Sequence, residues 1–342
     1  MRINGEKLRL PTLLITMGDV AGVGPEIIAK AWPELLTYSR PVVIGDPRWL
    51  ERAARLVGQK VRIVSIQHPS DGEPGPDSIP CVNSTGQDLS SVVVGQVSAA
   101  AGRAAYDFLT AAIDWILAGE ADGIVTAPLH KEGLRAASLN YPGHTEILAE
   151  RTGAKNFAML LSCDGLTVAH VTLHMALREV FRHLTPDAIL EKIFLVNEVV
   201  SQLHAGRVPR IGVAALNPHA SDGGLFGDEE VRMIQPAVAN AQKAGLDVTG
   251  PLPSDTLFVR AHKGEFDGIV AMYHDQGHIA LKLLGGLRAV NISAGLPIVR
   301  TSVAHGTAYD IAGRGTAEGT SLVEAVRIAA QLATARRIVQ SV

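Results

Sequence analysis

Short runs rich in Val, Ile and Leu alternate along the chain with longer stretches of helical pattern. The short runs predict five strands, at residues 12–17, 40–45, 123–128, 210–216 and 268–274. The longer stretches predict helices at 24–36, 97–119 and 228–245, and a further helix from about Ser321. This alternation is typical of an α/β protein in which helices cover a parallel or mixed sheet.

Residues 67–80 interrupt this pattern, because they are rich in Pro, Gly and charge, and they predict an exposed loop. In parallel sheets, ligands gather beyond the carboxyl ends of the strands. The residues that follow the five predicted strands are therefore the first candidates for chemistry.

The composition indicates a folded protein, and 342 residues are enough for two domains. With 47% hydrophobic and 19% charged residues, disorder is excluded as the main state. A net charge of −3 offers no basic face for nucleic acid, and no apolar run could span a membrane. Because the chain begins without a signal-peptide pattern and its two cysteines stand far apart, we expect a cytoplasmic protein with reduced thiols.

A glycine-rich turn follows the first predicted strand, from Gly18 to Glu26. Gly22 and Gly24 suggest a dinucleotide fingerprint, but Ile27 occupies the third glycine position and no P-loop lysine follows. Two interpretations stay open. The segment is either a tight strand-to-helix turn or an anion-binding or active-site loop, since a helix start offers free N–H donors.

Three of the twelve histidines, His174, His219 and His274, follow strand-like runs. Imidazoles from separate strand ends can hold one divalent ion and leave positions open for substrate. Any one of them alone could equally be a core or surface histidine. Four other histidines are predicted to be replaceable with little effect on chemistry: His170, His183, His204 and His262.

Polar side chains collect in three further segments. His144 and Thr145 lie in a Gly-His-Thr-Glu loop that suits a hydroxyl or carboxylate ligand, or that caps a helix. Lys282, Asn291 and Arg300 suit a doubly anionic substrate, because Arg can grip a phosphate with two N–H groups; ordinary surface charge is the alternative. Residues 301–317 contain glycines and small residues that let backbone approach a ligand.

Taken together, these segments resemble the 4-hydroxythreonine-4-phosphate dehydrogenase family of pyridoxal phosphate biosynthesis, over nearly the whole chain. The matching segments are TMGDVAGVGPEI, TAPLHKEGL, GHTEILAE, TLHMALREV, LNPHASDGGLFGDEE, GPLPSDTLF, YHDQGHIALK and NISAGLPIVRTSVAHGTAYDIAGRG. The run HGTAYDIAGRGTA also resembles the adenosine-binding loop of isocitrate and isopropylmalate dehydrogenases, which bind NAD(P) without the usual fingerprint.

The resemblance implies two α/β/α domains flanking a cleft, as in the isocitrate and isopropylmalate dehydrogenases. Residues 1–140 and 285–342 would form the cofactor-side domain, and residues 141–284 the metal- and dimer-side domain. It also implies a homodimer with its active sites at the subunit interface.

The site residues implied by the resemblance fall into four groups. One divalent ion per subunit, Zn²⁺, Mg²⁺, Co²⁺ or Mn²⁺, would be bound by His174, His219 and His274. Substrate would contact His144, Thr145, Lys282, Asn291 and Arg300. NAD or NADP would contact His305, Gly306, Asp310 and Gly313, and the candidates for proton transfer are Lys282 and Asp275.

The implied activity is NAD(P)- and metal-dependent oxidation of a phosphorylated 3-hydroxy acid, 4-phosphooxy-L-threonine, with decarboxylation of the β-keto product. Val20, Leu173 and Met175 depart from the usual pattern of the family, which leaves other substrates open. These are D-threonate or D-erythronate 4-phosphate and an aromatic dihydrodiol. Two rivals come from other classes. A metal-dependent hydrolase would not need the adenosine-like loop, and a phosphometabolite-binding protein would not explain a metal placed beside the cationic residues.

Overall fold

A computed structural model describes residues 2–3, 6–7, 9–204 and 207–340, and it confirms the α/β class. Its contacts divide the chain into two compact units. Unit 1 comprises Met1–Lys155 with Leu296–Val342, and unit 2 comprises Asn156–Gly295. The sequence predicts the division at 140/141 and 284/285, so His144 and Thr145 belong to unit 1 by contacts and to the other domain by prediction.

The strands are short, and most are buried. They are β1 (Arg2–Ile3), β2 (Glu6–Lys7), β3 (Thr12–Thr16), β4 (Arg40–Ile44), β5 (Arg62–Ile66), β6 (Ser78–Val82), β7 (Gly123–Thr126), β8 (Ala158–Cys163), β9 (Leu166–His170), β10 (Arg210–Ala214), β11 (Asp247–Leu252), β12 (Gly268–Ala271), β13 (Val290–Ala294) and β14 (Arg300–Val303). The five predicted strands are confirmed as β3, β4, β7, β10 and β12.

The helices are α1 (Gly24–Tyr38), α2 (Pro47–Leu56), α3 (Ala99–Leu117), α4 (Lys131–Ala136), α5 (His144–Thr152), α6 (Leu177–His183), α7 (Pro186–Leu203), α8 (Gln235–Lys243), α9 (Ser254–His262), α10 (His274–Gly285) and α11 (Thr320–Gln340). The predicted helices are confirmed as α1, α3, α8 and α11, with a π-helical turn at Glu230–Ile234 leading into α8. No helix in the described part of the chain is long and apolar enough to cross a membrane.

Unit 1 contains six parallel strands in the order β14-β7-β3-β4-β6-β5. Leu13, Leu14 and Ile15 of β3 are fully buried, as expected for a strand covered on both faces. The carboxyl ends of β3, β7 and β14 lie next to one another in this order. The loops that follow these three strands can therefore build one site.

The prediction of an exposed loop at 67–80 is wrong for its last part, because β6 begins at Ser78. Pro80 pairs with Val64 of β5, whereas β4 pairs with β6 only from Cys81 onward. At Pro80 the strand therefore has one paired neighbour, and the missing proline N–H removes no bond on the other side.

Unit 2 contains a mixed sheet in the order β11-β10-β12-β9-β8-β13. The first four strands are parallel, and β8 runs antiparallel to both β9 and β13. Asp164 and Gly165 join β8 to β9 with positive φ angles of 49° and 85°, as a two-residue hairpin turn requires. Strand β12 ends at Ala271, so His274 begins α10 rather than ending a strand as predicted.

Candidate active site

The glycine-rich turn after β3 is held by a buried carboxylate in unit 1. Asp19 is fully buried and accepts hydrogen bonds from the backbone N–H of Ala21 at 2.9 Å and from the hydroxyl of Tyr309 at 2.7 Å. Gly18 has a φ of 67°, and a Cβ there would lie 2.2 Å from the carbonyl oxygen of Pro128. Burial raises the pKa of Asp19, although its two donors act in the opposite direction.

The loop at 305–315 is fastened to this turn and to α1. The buried Glu26 carboxylate accepts the backbone N–H groups of Gly313 and Gly315, the second at 3.0 Å. The Lys30 ammonium donates to the carbonyl oxygens of Gly315 at 3.1 Å and Ala317 at 2.9 Å. Helix α1 therefore holds the loop by both its N–H and its C=O groups.

Close packing of backbone against backbone shapes the same loop. The N–H of Val23 donates to the carbonyl oxygen of Thr307 at 3.0 Å, and a Cβ at Gly22 would lie 2.8 Å from that oxygen. A Cβ at Gly95 would similarly lie 2.8 Å from the carbonyl oxygen of Tyr309. Gly22 of the glycine-rich turn and Gly95 are thus required for the close approach of the 305–315 loop.

The four predicted cofactor residues all lie on this loop. His305 is half-buried, and its Nδ1 lies 2.9 Å from the carbonyl oxygen of Gly306. Gly306, Asp310 and Gly313 are exposed and can reach a ligand. Gly313 has a φ of 77°, and a Cβ there would meet Val94 at 2.9 Å.

Two aromatic rings stack behind the loop. The rings of His130 and Tyr309 are 4.6 Å apart at 11°, and the hydroxyl of Tyr309 points to Asp19. The Nδ1 of His130 is buried and has no hydrogen-bond partner within the described chain. Residues from the ends of β3, β7 and β14 therefore meet here, as the strand order requires.

A buried cation lies close by in unit 1. Arg300 is 4% exposed, and it donates from Nη2 to the hydroxyl of Thr126 at 2.7 Å. Burial lowers the pKa of Arg300 to about 10. His144, at the start of α5, is half-buried; burial first and the charge of Arg300 second hold its pKa well below its ordinary value. The structure thus brings the predicted pair His144 and Arg300 together, with Thr145 half-buried beside His144.

The remaining predicted substrate residues lie in unit 2. Lys282 is exposed on the last turn of α10, and Asn291 is half-buried in β13, where it pairs with Leu161 of β8. The charge of Lys282 helps to lower the pKa of His278 one helical turn away.

Two of the predicted metal ligands are neighbours in unit 2. Thr172 donates to the carbonyl oxygen of Met272 from its N–H at 3.2 Å and from its hydroxyl at 2.8 Å, which aligns the segments leading to His174 and His274. The ring centroids of His174 and His274 are 5.9 Å apart. Asp275, the predicted proton carrier, is exposed and lies 2.6 Å from Nδ1 of His274. This contact leaves Nε2 of His274 as the nitrogen for a metal.

The third predicted ligand, His219, sits on a turn with an unusual backbone. Residues 219–222 all have positive φ, between 44° and 66°, although none is glycine. The buried Glu230 carboxylate holds this turn by accepting the N–H groups of Leu216 at 2.9 Å and Asn217 at 2.7 Å and the hydroxyl of Ser221. Strain of this kind persists where the surroundings impose it, and it is common at functional sites.

His219 and Asp275 line one cavity of about 590 Å³ in unit 2. Gln276 braces the cavity wall: its Oε1 accepts the N–H of Met272 at 2.6 Å, and its Nε2 donates to Ala215 at 2.7 Å and Ser254 at 2.8 Å. These bonds tie the ends of β10 and β12 to the starts of α9 and α10. The cavity is large enough for a small organic acid.

The imidazole donors suit a divalent transition metal, but one chain does not assemble all three. Within the described ranges, no group of three His, Cys, Asp or Glu side chains converges as a metal site. His174 and His274 are adjacent, but among the described residues His219 does not complete a group of three ligands with them. The donor type therefore fits the implied metal, with two ligands in place and the third at the cavity.

Several residues in these sites are absent from the sequence-based set. Glu26, Lys30, Asp19 and Tyr309 act through contacts about 290 positions apart, which no local spacing indicates. Glu230 lies only a few residues after the strained turn at 219–222 that it holds. Its position shortly after the segment LNPHASDGG was therefore a signal that sequence analysis could have used. His170 and His278 can be recognised in the sequence as histidines, but their contact arises only because α10 packs on β9.

Comparison with known proteins identifies relatives over the whole length. The family described as pyridoxal phosphate biosynthetic protein PdxA matches residues 37–329. The chain is 47% identical over 320 residues to the 4-hydroxythreonine-4-phosphate dehydrogenase of Beijerinckia indica, covering 94% of each. It is 46% identical over 330 residues to the D-threonate 4-phosphate dehydrogenase of Cupriavidus necator, covering 96% of this chain and 98% of that protein.

A solved structure is similar throughout. The crystal structure of 4-hydroxythreonine-4-phosphate dehydrogenase from Klebsiella pneumoniae matches with a TM-score of 0.86 and 42% identity, covering 94% of this chain and 99% of that one. The resemblance predicted from the motifs is thereby confirmed, and so is the predicted class, an oxidoreductase acting on CH–OH. The chain belongs to the family of pyridoxal phosphate biosynthetic protein PdxA.

Proposed function

We propose that this protein is an NAD(P)-dependent dehydrogenase that oxidises the secondary alcohol of a small phosphorylated 3-hydroxy acid and releases CO₂ from the β-keto product. The observation that carries the proposal is the 305–315 loop, which Glu26 and Lys30 hold in place on the first strand-to-helix turn. The loop resembles an adenosine-binding loop, which a metal-dependent hydrolase would not need. Relatives at 46–47% identity are dehydrogenases of such phosphorylated acids.

The substrate phosphate is expected at Arg300 and His144. A phosphate dianion can accept two N–H groups of one guanidinium, and this makes the buried Arg300 suited to bind it. His144 stays neutral because its pKa is low, so it contributes a hydrogen bond and no added charge. Thr145, Lys282 and Asn291 are proposed to complete the contacts to substrate.

His174, His219 and His274 are proposed to hold one divalent metal ion, in a homodimer with active sites at the subunit interface. When bound, the metal would polarise the hydroxyl and carboxylate of the substrate and stabilise developing negative charge. Asp275 accepts from Nδ1 of His274 and so orients that ring. An interface site is consistent with a single chain that places two ligands together and the third apart.

In the first step, the C–H bond of the carbinol carbon breaks, hydride passes to the nicotinamide ring and the hydroxyl proton passes to a base. In the second, the bond to the carboxylate breaks, CO₂ leaves and the electron pair remains on the resulting enolate. A proton then returns to carbon. Lys282 and Asp275 are the proposed carriers of these protons, since positioned proton transfer typically contributes about 10²- to 10⁴-fold.

The substrate within this class is proposed to be 4-phosphooxy-L-threonine, as in pyridoxal phosphate biosynthesis, with D-threonate 4-phosphate as the second candidate. Both names occur among relatives of nearly equal identity. D-Erythronate 4-phosphate differs from the second candidate only in stereochemistry. An aromatic dihydrodiol is disfavoured because it carries no phosphate group for the buried Arg300.

The test is a panel of these phosphorylated acids with NAD or NADP, followed by absorbance of the reduced nicotinamide, with and without added Co²⁺. Turnover of one acid with one cofactor, lost after chelation, is the expected result. Alanine at His174, His219 or His274 should remove both turnover and bound metal, whereas alanine at the exposed His262 should remove neither. Full metal content in all three variants, by elemental analysis, would refute the ligand assignment.

A further inference from the structure

A fully buried histidine lies next to the predicted metal ligands but was predicted to be dispensable. His170 ends β9 and is 1% exposed. Its Nδ1 is buried and has no hydrogen-bond partner within the part of the chain that the structure describes. Such an atom costs free energy on folding, and a leucine would avoid this cost. The position therefore calls for a role beyond packing.

The other ring nitrogen of His170 reaches α10. Its Nε2 lies 3.1 Å from Nδ1 of His278, which is 8% exposed. Gly277 permits this approach, because a Cβ there would lie 2.4 Å from Nε2 of His170. A glycine inside a helix is itself unfavourable, so its presence at position 277 of α10 is explained by the space that His170 needs.

His278 in turn stacks on His274. The two rings are 3.9 Å apart at an angle of 11°, one helical turn apart on α10. His274 is thus confined on one ring face by His278 and at Nδ1 by Asp275. The contacts run continuously from the strand, through His170 and His278, to the predicted metal ligand.

We propose that His170 and His278 are positioning residues that fix the ring of His274 for metal binding. The inference rests on the proposed metal site. Outer partners of a metal-binding histidine set its orientation, and their loss typically weakens metal binding about 10- to 100-fold.

Positioning predicts opposite effects on stability and on metal affinity. In the full-length protein, His170→Leu with His278→Phe keeps the buried volume and a ring against His274 but removes the hydrogen bond and the unpartnered nitrogen. Replacing both partners by apolar groups is often neutral or stabilising. The midpoint of unfolding should therefore stay or rise, while the dissociation constant for Co²⁺, measured by calorimetry, should increase about 10- to 100-fold.

Two further variants isolate the contact. Gly277→Ala replaces no histidine, but its methyl group would displace His170 from His278. This variant should weaken Co²⁺ binding and alter the visible absorption of bound Co²⁺. Each single variant, His170→Leu or His278→Phe, should weaken binding about as much as the double variant, because the two residues act as one unit. His262→Leu, on the surface of the same unit, is the matched control and should bind Co²⁺ as the wild type does.

His274→Ala distinguishes the two levels of inference. Loss of Co²⁺ binding in His274→Ala, together with wild-type affinity in the double variant and in Gly277→Ala, would overturn the positioning role alone. Wild-type Co²⁺ affinity in His274→Ala would overturn the proposed metal site, and the positioning role with it.

Discussion

Arg300 is a buried cation that we propose binds the substrate phosphate, and substitution by lysine tests this. Lysine keeps the charge but cannot donate to Thr126 and to a phosphate in one plane. The loss of one charged hydrogen bond, roughly 1.5 to 3 kcal/mol, predicts a rise in the substrate KM of roughly 10- to 150-fold. The measurement is the KM of Arg300→Lys with phosphorylated substrate.

The dephosphorylated analogue is the control for this prediction. Wild type should prefer the phosphorylated acid strongly, and the variant should lose most of that preference while its affinity for NAD stays unchanged. Equal turnover of both acids by the wild type would show that Arg300 serves no phosphate.

His144 gives a prediction on pH. Its pKa in the folded protein lies well below the ordinary value of 6.5, mainly through burial and secondarily through Arg300. Below pH 6.5 the unfolded chain therefore binds a proton that the folded chain does not. The free energy of unfolding should fall as the pH drops from about 6.5 toward the folded pKa, at a limiting slope of about 1.4 kcal/mol per pH unit.

Chemical denaturation of wild type and His144→Asn between about pH 7 and about pH 5 measures this slope. This range includes the ordinary pKa of a histidine. The difference between the two proteins isolates His144 from all other groups. Parallel stability curves would mean that His144 titrates normally in the folded state.

At the scale of elements, the 305–315 loop is the part whose shape matters most for the proposed cofactor. Gly313 has a positive φ, and a side chain there would collide with Val94. Gly313→Val should strain the loop by about 1 to 3 kcal/mol and raise the NAD(P) KM at least several-fold. Metal content should not change, because the histidines lie in unit 2. Unaltered cofactor affinity would remove the loop from the cofactor site.

The contact between α3 and α4 gives a prediction on stability. A Cβ at Gly102 of α3 would lie 2.1 Å from the carbonyl oxygen of Gly133 in α4, so the two backbones touch directly. Gly102→Ala gains helix propensity but overpacks this contact, and it should destabilise the protein by about 1 to 3 kcal/mol. Urea denaturation measures the change, and a stabilised variant would show that the helices can separate freely.

The elements also show how far the sequence could be interpreted. Buried parallel strands such as β3 and β7 are continuous apolar runs, so their existence was predictable. Strand β6 was hidden, because Pro80 signals a loop and only the register with β4 and β5 makes it acceptable. His274 was assigned to a strand end, whereas the helix begins with it, since periodicity does not define where a strand stops.

The site divides in the same way. The family resemblance implied that His144 and Arg300 both contact the substrate, and the structure brings them together. The bond between Asp19 and Tyr309 and the contact between His170 and His278 could not be predicted, because each joins distant positions and, unlike the first pair, neither was implied by the family resemblance. Such partners are defined by strand order, and strand order is not encoded in local patterns.

At the scale of the whole molecule, the two units differ in how the chain supplies them. Unit 2 is one continuous segment, whereas unit 1 takes strand β14 and the long helix α11 from Leu296–Val342. Helix α11 packs on α1 and against β14 and β7, so it covers part of the core of unit 1.

This discontinuity sets an order of events on the ribosome. Domains usually fold from the amino terminus as they emerge. Here the amino-terminal unit lacks strand β14 and helix α11 until residues 300–340 are made, and α11 contributes buried apolar side chains such as Ile328 and Leu332. The inserted segment, complete by Gly295, has all its strands available earlier. Nascent chains should therefore contain a folded second unit attached to an incomplete first one. The sheet of unit 1, which still lacks β14 and α11, is then the surface that we expect chaperones to bind.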